Sequence, residues 1–139
     1  MISVTEKSRL AILALAELAR RGGACPVPIL EIADARDIPV HLLEQLFANL
    51  RRAGILQSQR GVKGGYSFRR PPADVSVLDV VEAVDGPLAT APPRAALAAA
   101  SDMIWDEARR RVAELFRELS IGEVAEREAR LQAAPMFHI

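Results

Sequence analysis

The stretch RGVKGGYSFRRP, residues 60–71, sets Arg60, Lys63, Arg69 and Arg70 around three glycines and Tyr66. Glycine permits a tight turn and lets backbone N–H groups come close to an anion, and the flanking cations add charge. The chemistry on offer is phosphate binding. A nucleotide-binding loop of the Walker type needs G-x-x-x-x-G-K-[ST] between a strand and a helix. Here Lys63 precedes the pair Gly64-Gly65, no Ser or Thr follows a Gly-Lys pair, and a strand pattern comes next. That leaves a plain hairpin turn or a hairpin that touches nucleic acid, and Arg60 and Lys63 at the tip favour the second.

Other chemistries find little footing. The two histidines, His41 and His138, and the single Cys25 lie far apart, and no paired-carboxylate motif stands out, so no enzyme is expected. One cysteine excludes an internal disulfide framework and fits a reducing compartment. Cys25 itself reads as a small loop or core residue, with an oxidation-sensing thiol as the alternative. The N-terminus shows no basic run followed by an apolar stretch, and no apolar run approaches about 18 residues, so a cytoplasmic protein with no membrane partner is expected. Net charge is zero over 139 residues but is unevenly spread. Residues 1–72 carry eleven Lys/Arg against six Asp/Glu, and residues 73–139 carry seven against twelve. A basic front half suits a polyanion-facing surface.

The elements that would position the hairpin follow from periodicity. Residues 3–21 read as a first helix, with Ser3 and Glu6 as a capping box, Leu10, Leu13, Ala14 and Leu18 as its apolar set, and Gly22-Gly23 as its stop. Residues 28–36 read as a short second helix, and DIPV as a sharp turn. Residues 39–53 form a third helix, with Val40, Leu43, Leu46, Phe47 and Leu50 facing inward and Gly54 ending it. Alternating residues 55–59 and 66–70 flank the Gly-rich connection as a hairpin. Residues 76–85 form a fourth helix with Ser76 and Asp79 as a cap pair. Residues 86–101 are a Pro- and Ala-rich linker. Residues 102–119 form the longest helix, along which Ile104, Trp105, Ala108, Val112, Leu115, Phe116 and Leu119 make one apolar stripe. Ser120 and Glu123 open a last helix to about residue 132, and APMFHI is an apolar tail.

Helix, short helix, tight turn, helix and hairpin is the order of a winged helix-turn-helix: a mostly α fold with a small β-hairpin wing. A helix of about 10–12 Å diameter fits a B-DNA major groove about 12 Å wide, braced by the helix before it. A Gly-rich hairpin tip can approach phosphates and send an Arg into the minor groove.

Residues 43–86, LEQLFANLRRAGILQSQRGVKGGYSFRRPPADVSVLDVVEAVDG, match nearly throughout the pattern L-E-Q-L-F-x-x-L-R-x-A-G-[LI]-[VL]-x-S-x-R-G-x-x-G-G-Y-x-L-x-[RK]-x-P followed by L-x-D-[VI]-[VI]-x-A-V-[ED]-G. The sequence resembles the Rrf-type transcriptional regulators, which include iron–sulfur cluster regulators, nitric-oxide-sensing repressors and cysteine-metabolism repressors. VTEKSRLAILAL and VPILEIADARDIP fit as well, so the resemblance covers most of the chain. It implies a homodimer on near-palindromic double-stranded DNA, with the long helix (Ile104 to Leu119) as the dimer seam, and a repressor that acts by occupying promoter DNA is the expected function. Residues 1–86 would be the DNA-binding domain, 87–101 the linker, and 102–139 the dimerisation helix, final helix and tail. His41, Leu42, Glu44 and Gln45 would face the major groove, Gln45 suiting adenine and Glu44 accepting from cytosine N4. Arg60 would enter the minor groove. Thr5, Lys7, Lys63 and the Gly64-Gly65 backbone would hold phosphates.

The departures from the pattern carry information too. Pro39 and Leu42 stand where relatives often have Ser and Tyr, removing a helix-capping hydroxyl and an aromatic contact. Val62-Lys63 replaces Pro-Gly, adding charge to the tip. Many relatives hold an iron–sulfur cluster on three cysteines before the long helix; this loop has none, so no cofactor is expected. Trp105 reads as a core or dimer anchor, or as the wall of a small-ligand pocket. The chain ends Phe137, His138, Ile139, similar to the cluster-free cysteine-metabolism repressors, whose tail is understood to enter cysteine synthase. A site built for an amino-acid carboxylate can also capture a chain terminus. Cysteine synthase is therefore a candidate partner through Ile139, and a protein-interaction module with weak or no DNA binding is the alternative to a DNA-binding regulator.

Overall fold

The computed structural model describes residues 5–88 and 102–133. Within them lie helices α1 (Glu6–Arg20), α2 (Ile29–Arg36) and α3 (Val40–Arg52), strands β1 (Leu56–Gln59) and β2 (Gly65–Phe68), a 3-10 turn (Pro72–Asp74), and helices α4 (Val77–Asp85), α5 (Met103–Glu118) and α6 (Ile121–Ala133). This is a mostly helical winged helix-turn-helix with one two-stranded antiparallel hairpin.

α1 buries Ala11, Ala14, Leu15 and Leu18. The face is turned by about one residue from the expected stripe, and Leu10 and Leu13 are only half-buried. Ser3 lies outside the described residues, and Glu6 pairs with Arg9 rather than closing a capping box. Thr5 occupies the N-cap, but its side chain turns to α4 instead of to its own helix.

α2 ends at Asp37, which adopts a left-handed φ of 52°. The next amide, Ile38, donates back to Ala33 at 3.0 Å, and the Ile38 side chain is buried. This is the 6→1 bond of a Schellman turn with its apolar contact, and it reverses the chain within two residues. α3 then starts after Pro39 and buries Leu43, Leu46, Phe47 and Leu50, as the spacing predicts. Gly54, at φ 80°, ends it in the same way, with Ile55 donating to Leu50 at 3.0 Å.

The hairpin pairs Leu56 with Phe68 and Gln59 with Gly65. Val27, in the α1–α2 connection, adds an isolated bridge to β2: its N–H donates to the Tyr66 carbonyl and its carbonyl accepts from the Tyr66 N–H, both at 2.9 Å. α4 opens with the expected capping box, Ser76 and Asp79 exchanging bonds of 3.0 and 2.9 Å. At α6 the Ser120 hydroxyl accepts from the Glu123 N–H at 3.0 Å.

One apolar cluster joins these elements, including Leu15, Leu18, Ile32, Leu43, Phe47, Leu50, Ile55, Val75 and Val80. Ile121 belongs to it and is fully buried. Around it Val77 donates to Leu119 and Ile121 to Val75, each at 2.8 Å, so the α5–α6 joint is stitched to the start of α4. α6 packs along α1 and the 3-10 turn. Residues on both sides of the boundary drawn at residue 101 thus share one core. Of the linker, residues 89–101 lie outside the described residues.

Candidate nucleic-acid interface

The exposed side of α3 carries His41, Glu44 and Gln45. The His41 side chain is 99% exposed, and its Nδ1 lies 3.8 Å from a Glu44 carboxylate oxygen. Leu42 differs from its neighbours: it is half-buried and packs against the core, so it offers an edge rather than a whole side chain. Pro39 at the N-cap makes no side-chain bond to the helix, as the missing hydroxyl predicts. First-turn N–H groups left without a cap favour an anion. The same face runs on through Ala48 to Arg52, spaced 4, 3 and 4 residues along from His41 and Gln45. Arg52 is held by Asn49, and Arg51 donates to Ser58 of β1 at 3.2 Å. Residue-by-residue carry-over from relatives missed this basic end of the helix; the helical spacing itself was the signal that could have found it.

The wing presents Arg60, Val62 and Lys63 to solvent. Its tip turns at Gly61, φ 110°, where the Gly64 N–H donates to the Gly61 carbonyl at 2.9 Å. The Gly64 amide expected to hold a phosphate is therefore already used within the tip. Gly65 is pressed against the chain's own backbone, since a Cβ there would lie 2.2 Å from the Val27 carbonyl oxygen. The glycine pair provides close approach, but to the chain's own backbone: Gly65 to the α1–α2 connection and Gly64 to residues 59–61 of the hairpin. Tyr66 then packs its ring edge-on to Phe47 of α3, centroids 5.0 Å apart at 65°. The wing and α3 are in this way packed directly against each other.

At the start of α1 the Thr5 N–H and hydroxyl donate to Asp85 at 3.0 and 2.7 Å, and the Ser8 hydroxyl donates to the same carboxylate. Burial works to raise the Asp85 pKa, but these bonds and nearby Lys7 outweigh it and hold it below the ordinary value. Both donors of Thr5 point inward, while Lys7 is exposed. Cys25 sits exposed in the α1–α2 turn rather than in the core.

The expected dimer stripe is divided. Ile104, Trp105 and Leu115 are 76%, 51% and 53% exposed, whereas Phe116 and Leu119 pack against the chain's own core and Val112 against a small cluster with Leu78, Leu88 and Ala113. Ala108 is half-buried. A helix in contact with its own domain along one edge leaves only the other edge for a partner. Phe137, His138 and Ile139 lie outside the described residues.

The comparisons bear on this arrangement directly. The model of the Rrf2 family, described as an iron-dependent transcriptional regulator, matches residues 4–127. The chain belongs to the Rrf2 family. An Rrf2-like HTH-type transcriptional regulator of Rhodobacter capsulatus is 39% identical over 121 residues, covering 84% of this chain and 80% of that one. CymR of Bacillus subtilis is 28% identical over 138 residues, spanning 99% of this chain and all of that one. The solved structure of that CymR, called the global cysteine regulator, superposes with a TM-score of 0.79 over 91% of this chain and 98% of its own. IscR of T. potens gives 0.79 at 26% identity, over 96% and 93%. This Rrf2 protein is a winged-helix transcriptional regulator, not an enzyme, and its partner is DNA. None of the described helices is long and apolar enough to cross a membrane.

Iron is part of the family's description, so its fit to these residues matters. Family clusters rest on thiolates, and this chain has one cysteine, placed in the α1–α2 turn. Among the described residues no three His, Cys, Asp or Glu side chains gather in a way that could hold a metal. The donor set does not fit a three-thiolate cluster.

Proposed function

We propose that this Rrf2 protein is a homodimeric, sequence-specific repressor that occupies near-palindromic operators without an iron–sulfur cluster. The observation that carries the reading is the polar face of α3 held beside a cationic wing through the Tyr66–Phe47 contact. In this reading His41, Glu44 and Gln45 meet base edges in the major groove, with Gln45 matched to adenine and Glu44 to cytosine N4. Arg60 enters the adjacent minor groove. Lys7 and Lys63, the exposed cations at the start of α1 and at the wing tip, lie along the phosphates. A two-fold pair joined along Ile104, Trp105 and Leu115 would read two related half-sites. Repression follows from occupying promoter DNA.

The test is in vitro selection of duplexes from a random pool, followed by fluorescence anisotropy at fixed salt. An enriched two-fold sequence is expected, with affinity that falls steeply as salt rises because Lys/Arg–phosphate contacts release counterions. Arg60→Ala should weaken specific binding by about tenfold or more, the scale of one good Arg–base contact. Unchanged affinity would remove Arg60 from the minor groove. Failure of the intact chain to enrich any sequence would overturn the function and favour a protein-interaction module.

A further inference from the structure

Arg36 is the last residue of α2, one step before the left-handed Asp37 that swings the chain into the recognition helix. Its side chain is only 14% exposed. Nε donates to Glu17 of α1 at 2.9 Å, while the two terminal nitrogens donate to the two carboxylate oxygens of Glu128 on α6 at 2.7 and 2.8 Å. Glu17 also accepts from Arg21 at 2.7 Å, Arg21 reaches Glu31 at 2.9 Å, and Arg20 donates to Gln132. Three helices therefore meet at one guanidinium. A bidentate fork fixes angle as well as distance. The ion pairs of Glu107 with Arg110 and Arg111 are different in kind: they lie exposed within α5 and orient nothing against another element.

The geometry gives the contact leverage. α6 follows α5 directly through Leu119 and Ser120; that joint is itself stitched to Val75 and Val77 at the start of α4, and α5 is the helix that leaves Ile104, Trp105 and Leu115 exposed. At its other side Arg36 is continuous with the Asp37–Ile38 turn, whose Ile38 amide is tied back to Ala33. A shift of Glu128 is thus passed to the start of α3 through only three residues of backbone, Asp37, Ile38 and Pro39.

We infer that Arg36 and Glu128 are positioning residues for DNA reading: their pairing sets the angle of the recognition helix against the α5–α6 frame, and so the spacing at which two copies reach their half-sites. This rests on the DNA-reading function proposed above. A purely structural pair would behave differently, because replacing a half-buried ion pair by apolar groups of similar volume is commonly neutral or stabilising. Stability and positioning can therefore be separated.

The experiment uses the full-length chain and duplexes selected by it from a random pool, with one or two base pairs added to or removed from between the half-sites, and a scrambled duplex as reference. Glu128→Gln and the double variant Arg36→Met/Glu128→Leu are measured for thermal midpoint and for affinity at one salt concentration. Both should lower the ratio of specific to scrambled affinity about fivefold or more and flatten the spacing preference. Affinity for scrambled DNA, set by phosphate neutralisation, should stay the same. If Glu128→Gln fails to fold, the apolar double variant supplies the reading. A folded variant that keeps the intact chain's ratio and spacing preference overturns the inference while leaving the function standing. An intact chain that enriches no sequence overturns both.

Discussion

Gly65 shows how much one residue decides. Its φ is 148°, and any Cβ would meet the Val27 carbonyl group, which is itself bonded to Tyr66. Neither backbone can yield without breaking the rung that joins the wing to the α1–α2 connection. Gly65→Ala should therefore cost about 2 kcal/mol or more, the sum of a steric clash and a disfavoured conformation. Gly61→Ala is the natural control: its φ is 110°, but nothing lies within 4 Å of the added atom, so about 1 kcal/mol is expected. Urea unfolding of the two variants checks the ranking, and equal losses would mean that the Val27 contact contributes nothing. Local spacing made the turn and its glycines legible. What the glycines approach was not, because Val27 is brought there only by the fold, and a phosphate and a carbonyl group make the same demand on the sequence. Thr5 carries the same lesson, since its hydroxyl goes to Asp85, a residue at the far end of α4.

At the scale of elements, helices are joined by carboxylates. Glu128 holds α6 to α2, Glu17 holds α1 to α2, and Asp85 holds α4 to α1. Each titrates below its ordinary value. For Glu128 the Arg36 hydrogen bonds are the main cause; for Glu17 burial opposes the shift and the bonds from Arg21 and Arg36 outweigh it; for Asp85 burial is outweighed by Ser8 and Thr5. A folded pKa below the unfolded one means that the unfolded chain binds more protons between the two values, so stability rises with pH across that window. The contribution is complete above the unfolded values, about 4 for such groups, and is lost as pH falls through the folded ones. The thermal midpoint should be nearly level from pH 7 to about 5 and then drop steeply, and Glu128→Gln should soften that drop. A midpoint that rises on acidification would contradict these assignments. Helix spans and caps such as Ser76–Asp79 were legible because periodicity and capping are local. The rotation of the α1 face and the division of the α5 stripe were not, because both depend on which side of a helix its own domain covers.

For the whole molecule, the decisive surface is the edge of α5 that its own chain leaves bare. Ile104, Trp105 and Leu115 stand out from the body, and burying each such side chain is worth about 1.5–3 kcal/mol. A two-fold interface counts every contact twice, so three residues per copy contribute an energy of the same order as the association cost of about 4–15 kcal/mol. The edge that packs inward makes the contrast. Leu115→Glu should leave the fold intact and convert the proposed dimer to monomers of 15.1 kDa, whereas Phe116→Ala, one residue on, should lower the unfolding midpoint because that ring rests on the core. Sedimentation velocity at tens of micromolar reads the first effect and thermal unfolding the second. If Leu115→Glu still sediments as the intact chain does, the exposed edge is not the seam. Because paired half-sites are read only by a pair, the same monomer should lose its preference for operator over scrambled DNA while retaining the weak, salt-sensitive binding that its basic front half supports.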